Sequence, residues 1–302
     1  MSAPTPGEPP DGPTAAGDSA AAPVTSRAGR DLPRAIGVGL LLGALCIGSL
    51  LIYRQSFIVI IVAAVAASIW ELRGTLARAR GIEILWIPMV LGSAAIVALA
   101  WPYGQSAQGI GVALTALVCM IWRFPKGANG FVTDLAVSVF VVVYLGLFAS
   151  FATLMLAPAD GAARIITFMI MVVCSDTGGY AAGVLFGRHP MAPSISPKKS
   201  WEGFAGSAVA AMTGGALCLW LLLDGHWWQG VLAGAAVAIV ATAGDLTESL
   251  IKRDLGVKDM GNLLPGHGGV MDRMDSLLPS AVVTWALLAL FVPVGAVALS
   301  AA

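Results

Sequence analysis

The chain has 302 residues, of which 58% are hydrophobic and only 11% are charged, and its mean hydropathy is +0.85. These values exclude an ordinary soluble domain and indicate a polytopic membrane protein. Seventeen basic and seventeen acidic residues cancel to a formal net charge of zero, so no excess of positive charge indicates nucleic acid as a partner.

The N-terminal residues 1–33 are rich in Pro, Gly, Ala and Ser and offer no apolar face to bury. This composition predicts a disordered tail. The tail lacks the basic start and the short apolar run of a cleavable signal. We therefore expect the first hydrophobic segment to remain as a membrane anchor.

Nine apolar runs follow the tail, each near the ~20 residues that a hydrocarbon core of ~30 Å requires. They predict helices at about 35–53, 56–70, 84–102, 106–122, 134–156, 163–185, 203–223, 229–247 and 278–300. The second run is short for a full span and is also compatible with a hairpin partner of the first. The expected fold is an all-α polytopic integral membrane protein with about nine transmembrane helices. We divide it into N-terminal helices over 34–160 and a C-terminal region over 161–302, with cytoplasmic loops at 186–202 and 248–277.

Lysines and arginines are distributed unevenly between the two sides that these helices define. With the N-terminus in the cytoplasm, the far side holds only two of them, Arg54 and Arg164. The other fifteen are Arg27, Arg30, Arg34, Arg73, Arg78, Arg80, Arg123, Lys126, Arg188, Lys198, Lys199, Lys252, Arg253, Lys258 and Arg273. The positive-inside rule therefore predicts a multi-pass protein of the cell membrane whose N-terminus and polar loops face the cytoplasm.

The first polar motif is Cys174-Ser-Asp-Thr-Gly-Gly-Tyr180, which places Asp176 inside the sixth apolar run. An acid at that depth must be paired or neutralised. Either a structural hydrogen bond between helices or a functional role satisfies this requirement. Gly178, Gly179 and Gly183 favour close helix packing, which agrees with both alternatives.

The second motif is Ser196-Pro-Lys-Lys-Ser-Trp-Glu-Gly203, a basic loop that enters the seventh apolar run. The adjacent Lys198 and Lys199 are suited to neutralising phosphate groups. Positive-inside topology and attraction to anionic lipid explain the same two lysines equally well.

The third motif is a polar segment, 244–276, that lies between two apolar runs. Two of its groups have helical spacing, which places each group on one helix face: Asp245, Glu248 and Lys252, and then Asp272 and Asp275. Carboxylates presented from two helices are the ligands that Mg²⁺ needs when it bridges substrate phosphates. Each acid taken singly is equally compatible with a salt bridge to a neighbouring base. Their concentration in one segment indicates an active site that acts on phosphates, facing the cytoplasm.

The segment resembles the signature of phosphatidate cytidylyltransferases, also called CDP-diacylglycerol synthases. Its residues are Ser249-Leu-Ile-Lys-Arg-x4-Lys258-Asp259-x-Gly261-x2-Leu264-Pro265-x-His267-Gly-Gly-Val-x-Asp272-Arg273-Met-Asp275. The first and second motifs are similar to two further segments of that family, in the same order, so the resemblance covers about 170–280. Gly179 stands where the family pattern has alanine and Ser200 where it has threonine, and each replacement keeps either small size or a hydroxyl group.

The resemblance implies Mg²⁺-dependent transfer of the cytidylyl group of CTP to phosphatidic acid, which gives CDP-diacylglycerol and pyrophosphate for phospholipid biosynthesis. The lipid phosphate monoester is already a nucleophile near neutral pH, so no serine, cysteine or histidine nucleophile is required. The expected partners are CTP, phosphatidic acid and membrane lipid, without nucleic acid. The glycine-rich helices are also compatible with a homodimer.

Residue roles follow as hypotheses. We expect the catalytic residues to be Asp245, Asp272, Lys252 and Asp176. We expect Mg²⁺, with the option of a second cation, to bind to Asp245, Asp272, Asp275 and Glu248. We expect the substrates to contact Ser196, Lys198, Lys199, Arg253, Lys258, His267, Gly268, Gly269 and Arg273. His267 is either a pyrophosphate contact or a structural residue.

A cation-coupled transporter is the alternative function, because transporters also place acids at helix breaks inside the membrane. This alternative explains Asp176. It does not explain why basic residues, glycines and acids gather at one mouth of the bundle, and the sequence shows no inverted repeat.

Overall fold

The computed structural model describes residues 32–261, 263 and 268–293, and these residues are predominantly helical. The helices before residue 160 are α1 Leu32–Ile52, α2 Ser56–Arg80, α3 Trp86–Tyr103, α4 Gln105–Arg123, α5 Phe131–Val141 and α6 Phe148–Leu156. Those after it are α7 Gly161–Phe186, α8 Trp201–Leu222, α9 Trp227–Leu255, α10 Met271–Met274 and α11 Leu277–Phe291. The smaller elements are a 3₁₀ turn, Phe124–Lys126, a π-helical turn, Val142–Leu147, and an antiparallel hairpin of β1 Pro190–Ala192 and β2 Ser196–Ser200.

Eight helical spans among the described residues are long and apolar enough to cross a membrane. A shorter apolar helix, Gly39–Ile52, belongs to α1 and accounts for the first predicted run. The α5–α6 pair forms one continuous span through its π-helical turn, and α10 and α11 form another. The all-α polytopic fold is therefore confirmed. Nearly all of the predicted tail lies outside the described residues, as does the chain after Pro293.

Helix α2 is a full span of 25 residues, so the alternative of a short hairpin partner is wrong. The apolar run stops at Glu71, but the helix continues because this side chain is buried against the protein and not exposed to lipid. The helix ends at Gly81, whose φ of 67° suits the left-handed cap that glycine adopts without a steric penalty.

Helix α9 continues for eight residues beyond 247, where its apolar run was expected to end, and stops at Leu255. Asp245, Glu248 and Lys252 therefore do lie on one helix, as their spacing predicted. The first eight residues of the segment 248–277 are helical, and the chain becomes irregular only from Gly256. We call residues 256–270, which connect α9 to α10, the signature loop.

The most extensive helix packing is that of α8, which lies between α7 and α9 and contacts both. Gly178 and Gly206 make the close approach of α7 and α8 possible, since an added Cβ on Gly178 would lie 2.7 Å from the Gly206 carbonyl oxygen. The Ser207 hydroxyl donates to the Ser175 carbonyl at 2.7 Å across the same interface. The close packing predicted from the glycines of the first motif is therefore confirmed.

The two basic residues assigned to the far side lie at one end of the bundle. Arg54 donates to the carbonyl of Pro158 at 2.6 Å, and Arg164 pairs with Asp160 at 2.8 Å. At the other end of α2, Arg80 pairs with Asp254 at 2.8 Å, close to the end of α9. The three polar motifs lie at this second end of the bundle, where α9 terminates.

Candidate active site

A cavity of about 690 Å³ lies at the end of the bundle where α9 ends. Its walls come from α7, the hairpin and the start of α8, from α9, and from α10 with the residues around it. The six acids that line it are Asp176, Asp245, Glu248, Asp259, Asp272 and Asp275, and the four bases are Lys198, Lys199, Lys252 and Arg273. All three polar motifs therefore meet in one space.

The hairpin brings the lysines of the second motif to α9. The Lys199 ammonium group donates to Asp245 Oδ2 at 2.6 Å, and both side chains are about a quarter to a third exposed. Ser200 caps α8 by accepting from the Gly203 amide at 3.1 Å, and this cap fixes the direction in which the hairpin leaves the helix. Threonine can form the same cap, which explains why the family position tolerates serine here.

Asp272 is the most highly coordinated acid of the site. Its carboxylate pairs with the Lys252 ammonium group at 2.7 Å and accepts from the amides of Met260 at 3.1 Å and Gly269 at 2.8 Å. The side chain is only 6% exposed. Asp272 therefore joins α9 to both ends of the signature loop.

Glu248 is buried deeper than the other acids on α9, with a side chain 3% exposed. One carboxylate oxygen contacts Lys252 at 2.7 Å, whereas Oε1 has no hydrogen-bond partner among the described residues. A buried carboxylate oxygen without a partner is costly in a medium of low dielectric constant. A cation held beside Glu248 would remove that cost.

Asp275 approaches α9 closely because Gly244 has no side chain. An added Cβ on Gly244 would lie 2.2 Å from the Asp275 carbonyl oxygen. The Asp275 carboxylate accepts from the Ser276 amide at 2.7 Å, where the chain passes from α10 into α11. The i, i+3 pair Asp272 and Asp275 thus faces the acids of α9 across the cavity.

Glu71 of α2 contacts the signature loop from the other side, and it was not among the predicted site residues. Its Oε1 accepts from the Leu263 amide at 3.2 Å, and its Oε2 accepts from the Met271 amide at 3.1 Å. The carboxylate packs against Gly261 and Gly269. An added Cβ would lie 2.1 Å from a Glu71 atom at Gly261 and 2.6 Å from one at Gly269. The side chain of Glu71 therefore requires glycine at two positions of the signature, although both lie far away in the sequence.

A polar stripe on α2 was the available signal for Glu71. Ser68, Glu71 and Thr75 fall at i, i+3 and i+7, on the same side of the helix. The Thr75 hydroxyl donates to the Met260 carbonyl at 2.8 Å, and the Ser68 hydroxyl lies 3.4 Å from the Met274 sulfur. All three contacts are made with the signature loop or with α10.

The remaining predicted residues are placed as follows. Asp176, Lys198 and Arg273 line the cavity. Arg253 donates to the carbonyl of Ile195 and thereby supports the hairpin. Five of the predicted substrate contacts in the described part of the chain do not line the cavity. They are Ser196, Arg253, Lys258, Gly268 and Gly269. His267 lies outside the described residues.

The carboxylate oxygens of the cavity are ligands that suit a divalent cation such as Mg²⁺. The cavity has six acidic and four basic side chains, a formal balance of two negative charges if all are ionised. A nucleotide triphosphate is itself anionic, so a bound cation is needed to offset both charges. Among the described residues no three acids, histidines or cysteines lie close enough together to hold a metal ion, and Asp245 and Asp272 are each paired with a lysine.

The fold and the cavity together define a class: a polytopic membrane protein with a charged pocket suited to phosphate chemistry at one end of its helices. The sequence profile of the cytidylyltransferase family matches residues 34–291. The chain therefore belongs to the cytidylyltransferase family, and it is a nucleotidyltransferase enzyme.

Curated relatives agree with this assignment. A phosphatidate cytidylyltransferase of Mycobacterium leprae is 44% identical over 282 residues, which cover 88% of this chain and 90% of the relative. The corresponding protein of Mycobacterium bovis is 44% identical over 280 residues, with 88% and 91% coverage. A phosphatidate cytidylyltransferase of Helicobacter pylori is 42% identical over 128 residues, which cover 42% of this chain and 48% of that protein.

Proposed function

We propose that the protein transfers the cytidylyl group of CTP to phosphatidic acid, giving CDP-diacylglycerol and pyrophosphate for phospholipid biosynthesis. The observation that carries this proposal is the meeting of all three polar motifs in one cavity at the end of the helices. The relatives named above bear the name of this reaction. A cavity at the end of the apolar helices suits a reaction between a membrane lipid and a soluble nucleotide.

The reaction needs binding and orientation more than covalent chemistry by the protein. An oxygen of the lipid phosphate monoester attacks the α-phosphorus of CTP. The bond from the α-phosphorus to the bridging oxygen breaks, and pyrophosphate leaves with that electron pair. Holding attacking and leaving oxygens in line is the main source of acceleration in such transfers.

Basic side chains on two elements suit this task. Lys198 and Lys199 of the hairpin and Lys252 of α9 would bind phosphate oxygens and offset the charge that grows on the leaving pyrophosphate. Arg273 would hold a further phosphate oxygen from the opposite wall. Ser196, Arg253 and Lys258 stay predictions as substrate contacts, and Arg253 has a supporting role through Ile195.

Asp245, Asp272, Asp275 and Glu248 would hold Mg²⁺, with Asp176 orienting this group or serving a second cation. When bound, Mg²⁺ supplies charge neutralisation of the nucleotide phosphates. The fit depends on Oε1 of Glu248, which has no hydrogen-bond partner in the described part of the chain, and on the excess of acids over bases in the cavity.

The excess of lysine and arginine at the end of the bundle that holds the cavity supports a cell-membrane protein with a cytoplasmic N-terminus and active site. CTP is a soluble metabolite of that compartment, so this orientation suits the reaction. A homodimer stays a prediction from the glycine-rich helices. The alternative of a cation-coupled transporter has no support from the comparisons.

Release of pyrophosphate from CTP by the detergent-purified protein tests the proposal. We expect release only when phosphatidic acid and Mg²⁺ are both present, and none when EDTA is added or when the lipid is omitted. Folded protein that released no pyrophosphate under the complete conditions would overturn the proposed reaction.

A further inference from the structure

A second polar pocket of about 280 Å³ lies beside α2, and it shares no lining residue with the catalytic cavity. Its lining includes Arg73 and Ala77 of α2, whereas Glu71 and Thr75 of the same helix contact the signature loop and Met271. Residues two positions apart differ by about 200° around a helix. The pocket is therefore on the face of α2 opposite the signature loop.

Arg73 is held in this pocket by two tryptophans. Its guanidinium carbon lies 5.4 Å from the ring centroid of Trp70 and 4.9 Å from that of Trp86, and the two rings are nearly perpendicular. These distances are typical of cation–π contacts. Arg73 makes no hydrogen bond or ion pair with any described residue, so its five N–H donors remain available to a ligand.

The pocket carries a net positive charge. Lys126 contacts Glu83, and this contact lowers the pKa of the Glu83 carboxyl group, which is therefore ionised at neutral pH. The two charges cancel, and Arg73 supplies one uncompensated positive charge. Pockets for drug-sized ligands measure roughly 300–1,000 Å³, so this volume suits a small anionic head group.

An apolar groove of about 500 Å³ continues from the pocket along α3 and α4. Ile87 and Trp122 line both spaces, and the groove extends along α3 as far as Tyr103. Sixteen residues of helix rise by about 24 Å, most of the ~30 Å hydrocarbon core. A positively charged pocket at one end of a long apolar groove matches the anionic head group and the acyl chain of a phospholipid.

We propose that Arg73 binds the phosphate of a membrane phospholipid whose acyl chain occupies the groove between α3 and α4, at a site separate from the catalytic cavity. The aromatic rings of Trp70 and Trp86 fix the guanidinium group, which lowers the entropy lost when it binds the phosphate. Binding here does not depend on the proposed reaction, because the two cavities have no residue in common.

Photocrosslinking tests this site. The probe is a diacyl phosphatidylglycerol with a diazirine in one acyl chain, presented to the full-length protein in detergent. Its phosphodiester is not the monoester nucleophile of the proposed reaction, so labelling reports binding alone. We expect adducts within residues 86–122. Loss of one charge-assisted phosphate contact in Arg73→Gln should raise the half-saturating concentration by about tenfold or more.

Two further variants make the test specific. Arg78 is an exposed residue of the same helix and lines neither pocket, so Arg78→Gln is the control. We expect its labelling to match the wild type. Glu83→Gln frees Lys126, and we expect tighter binding, an outcome that misfolding does not produce. Unlabelled phosphatidylglycerol should compete, whereas glycerol phosphate and diacylglycerol should not.

Three results would overturn the proposal. Arg73→Gln labelled with the wild-type concentration dependence would show that the guanidinium group does not bind the head group. Diacylglycerol that competed as well as phosphatidylglycerol would make the groove a purely apolar surface, such as a contact with a second copy of the chain. Competition by glycerol phosphate at equal strength would indicate a site for soluble anions.

Discussion

Replacement of Glu71 by glutamine tests whether α2 positions the catalytic loop. The carboxylate accepts one hydrogen bond at each oxygen, from the amides of Leu263 and Met271. Glutamine keeps one acceptor and places an N–H₂ group against the other amide. A hydrogen bond to a buried charged group contributes about 1.5–3 kcal/mol, so the loop loses about this much support. If that support positions Asp272, kcat/KM falls by about 10- to 100-fold.

Pyrophosphate release measures the activity, and hydrogen exchange measures the loop directly. We expect the amides of Leu263 and Met271 to exchange faster in Glu71→Gln, while exchange in α7 and α8 stays unchanged. Thr75→Val is the matched control, because it removes one neutral hydrogen bond to the same loop and should reduce kcat/KM less than tenfold. Wild-type kcat/KM together with unchanged exchange at both amides in Glu71→Gln would refute the positioning role.

Three further variants test the remaining parts of the site. Asp272→Asn should abolish turnover at saturating Mg²⁺ while the purified protein stays monodisperse, and a wild-type rate of pyrophosphate release would contradict its role as a ligand. Lys199→Met should raise the KM for CTP by about tenfold, since it removes a charged phosphate contact, and an unchanged KM would place the nucleotide elsewhere. Gly261→Ala should destabilise the protein by about 1–3 kcal/mol because its Cβ would lie 2.1 Å from Glu71. Thermal unfolding in detergent measures that cost, with Gly109→Ala as the comparison, because an added Cβ at Gly109 meets no atom within 4 Å and its φ is not left-handed.

Local patterns in the sequence were sufficient to predict the polytopic helical fold and most of the charged residues that line the catalytic cavity. Of the nine predicted runs, the first forms only a shorter apolar helix, and eight form helices long enough to span a membrane. Asp245, Glu248 and Lys252 lie on one face of α9 because helical periodicity is a property of the segment itself. The lysines of the second motif were selected for their charge, and the structure brings Lys199 to Asp245.

Long-range partners were beyond the reach of these patterns. The length of α2 was underestimated because Glu71 interrupts the apolar run. Its hydrogen-bond donors, the amides of Leu263 and Met271, are distant in the sequence and could not be predicted from it. Gly269 was predicted to contact substrate, but its amide donates to Asp272, and both Gly261 and Gly269 leave room for Glu71. Such roles depend on packing between distant segments, which periodicity and composition do not encode.

The paired charges of the cavity have a thermodynamic consequence. Lys199 neutralises Asp245, and Lys252 neutralises Asp272. A phosphate that binds either lysine leaves the paired carboxylate without a counter-ion. A cation that binds either carboxylate leaves the paired ammonium group without a counter-ion. Each exchange is costly alone, because an unpaired charge in such a site is poorly solvated. When both occur together no charge is left over, so the anion and the cation each strengthen the binding of the other, by the same factor in both directions.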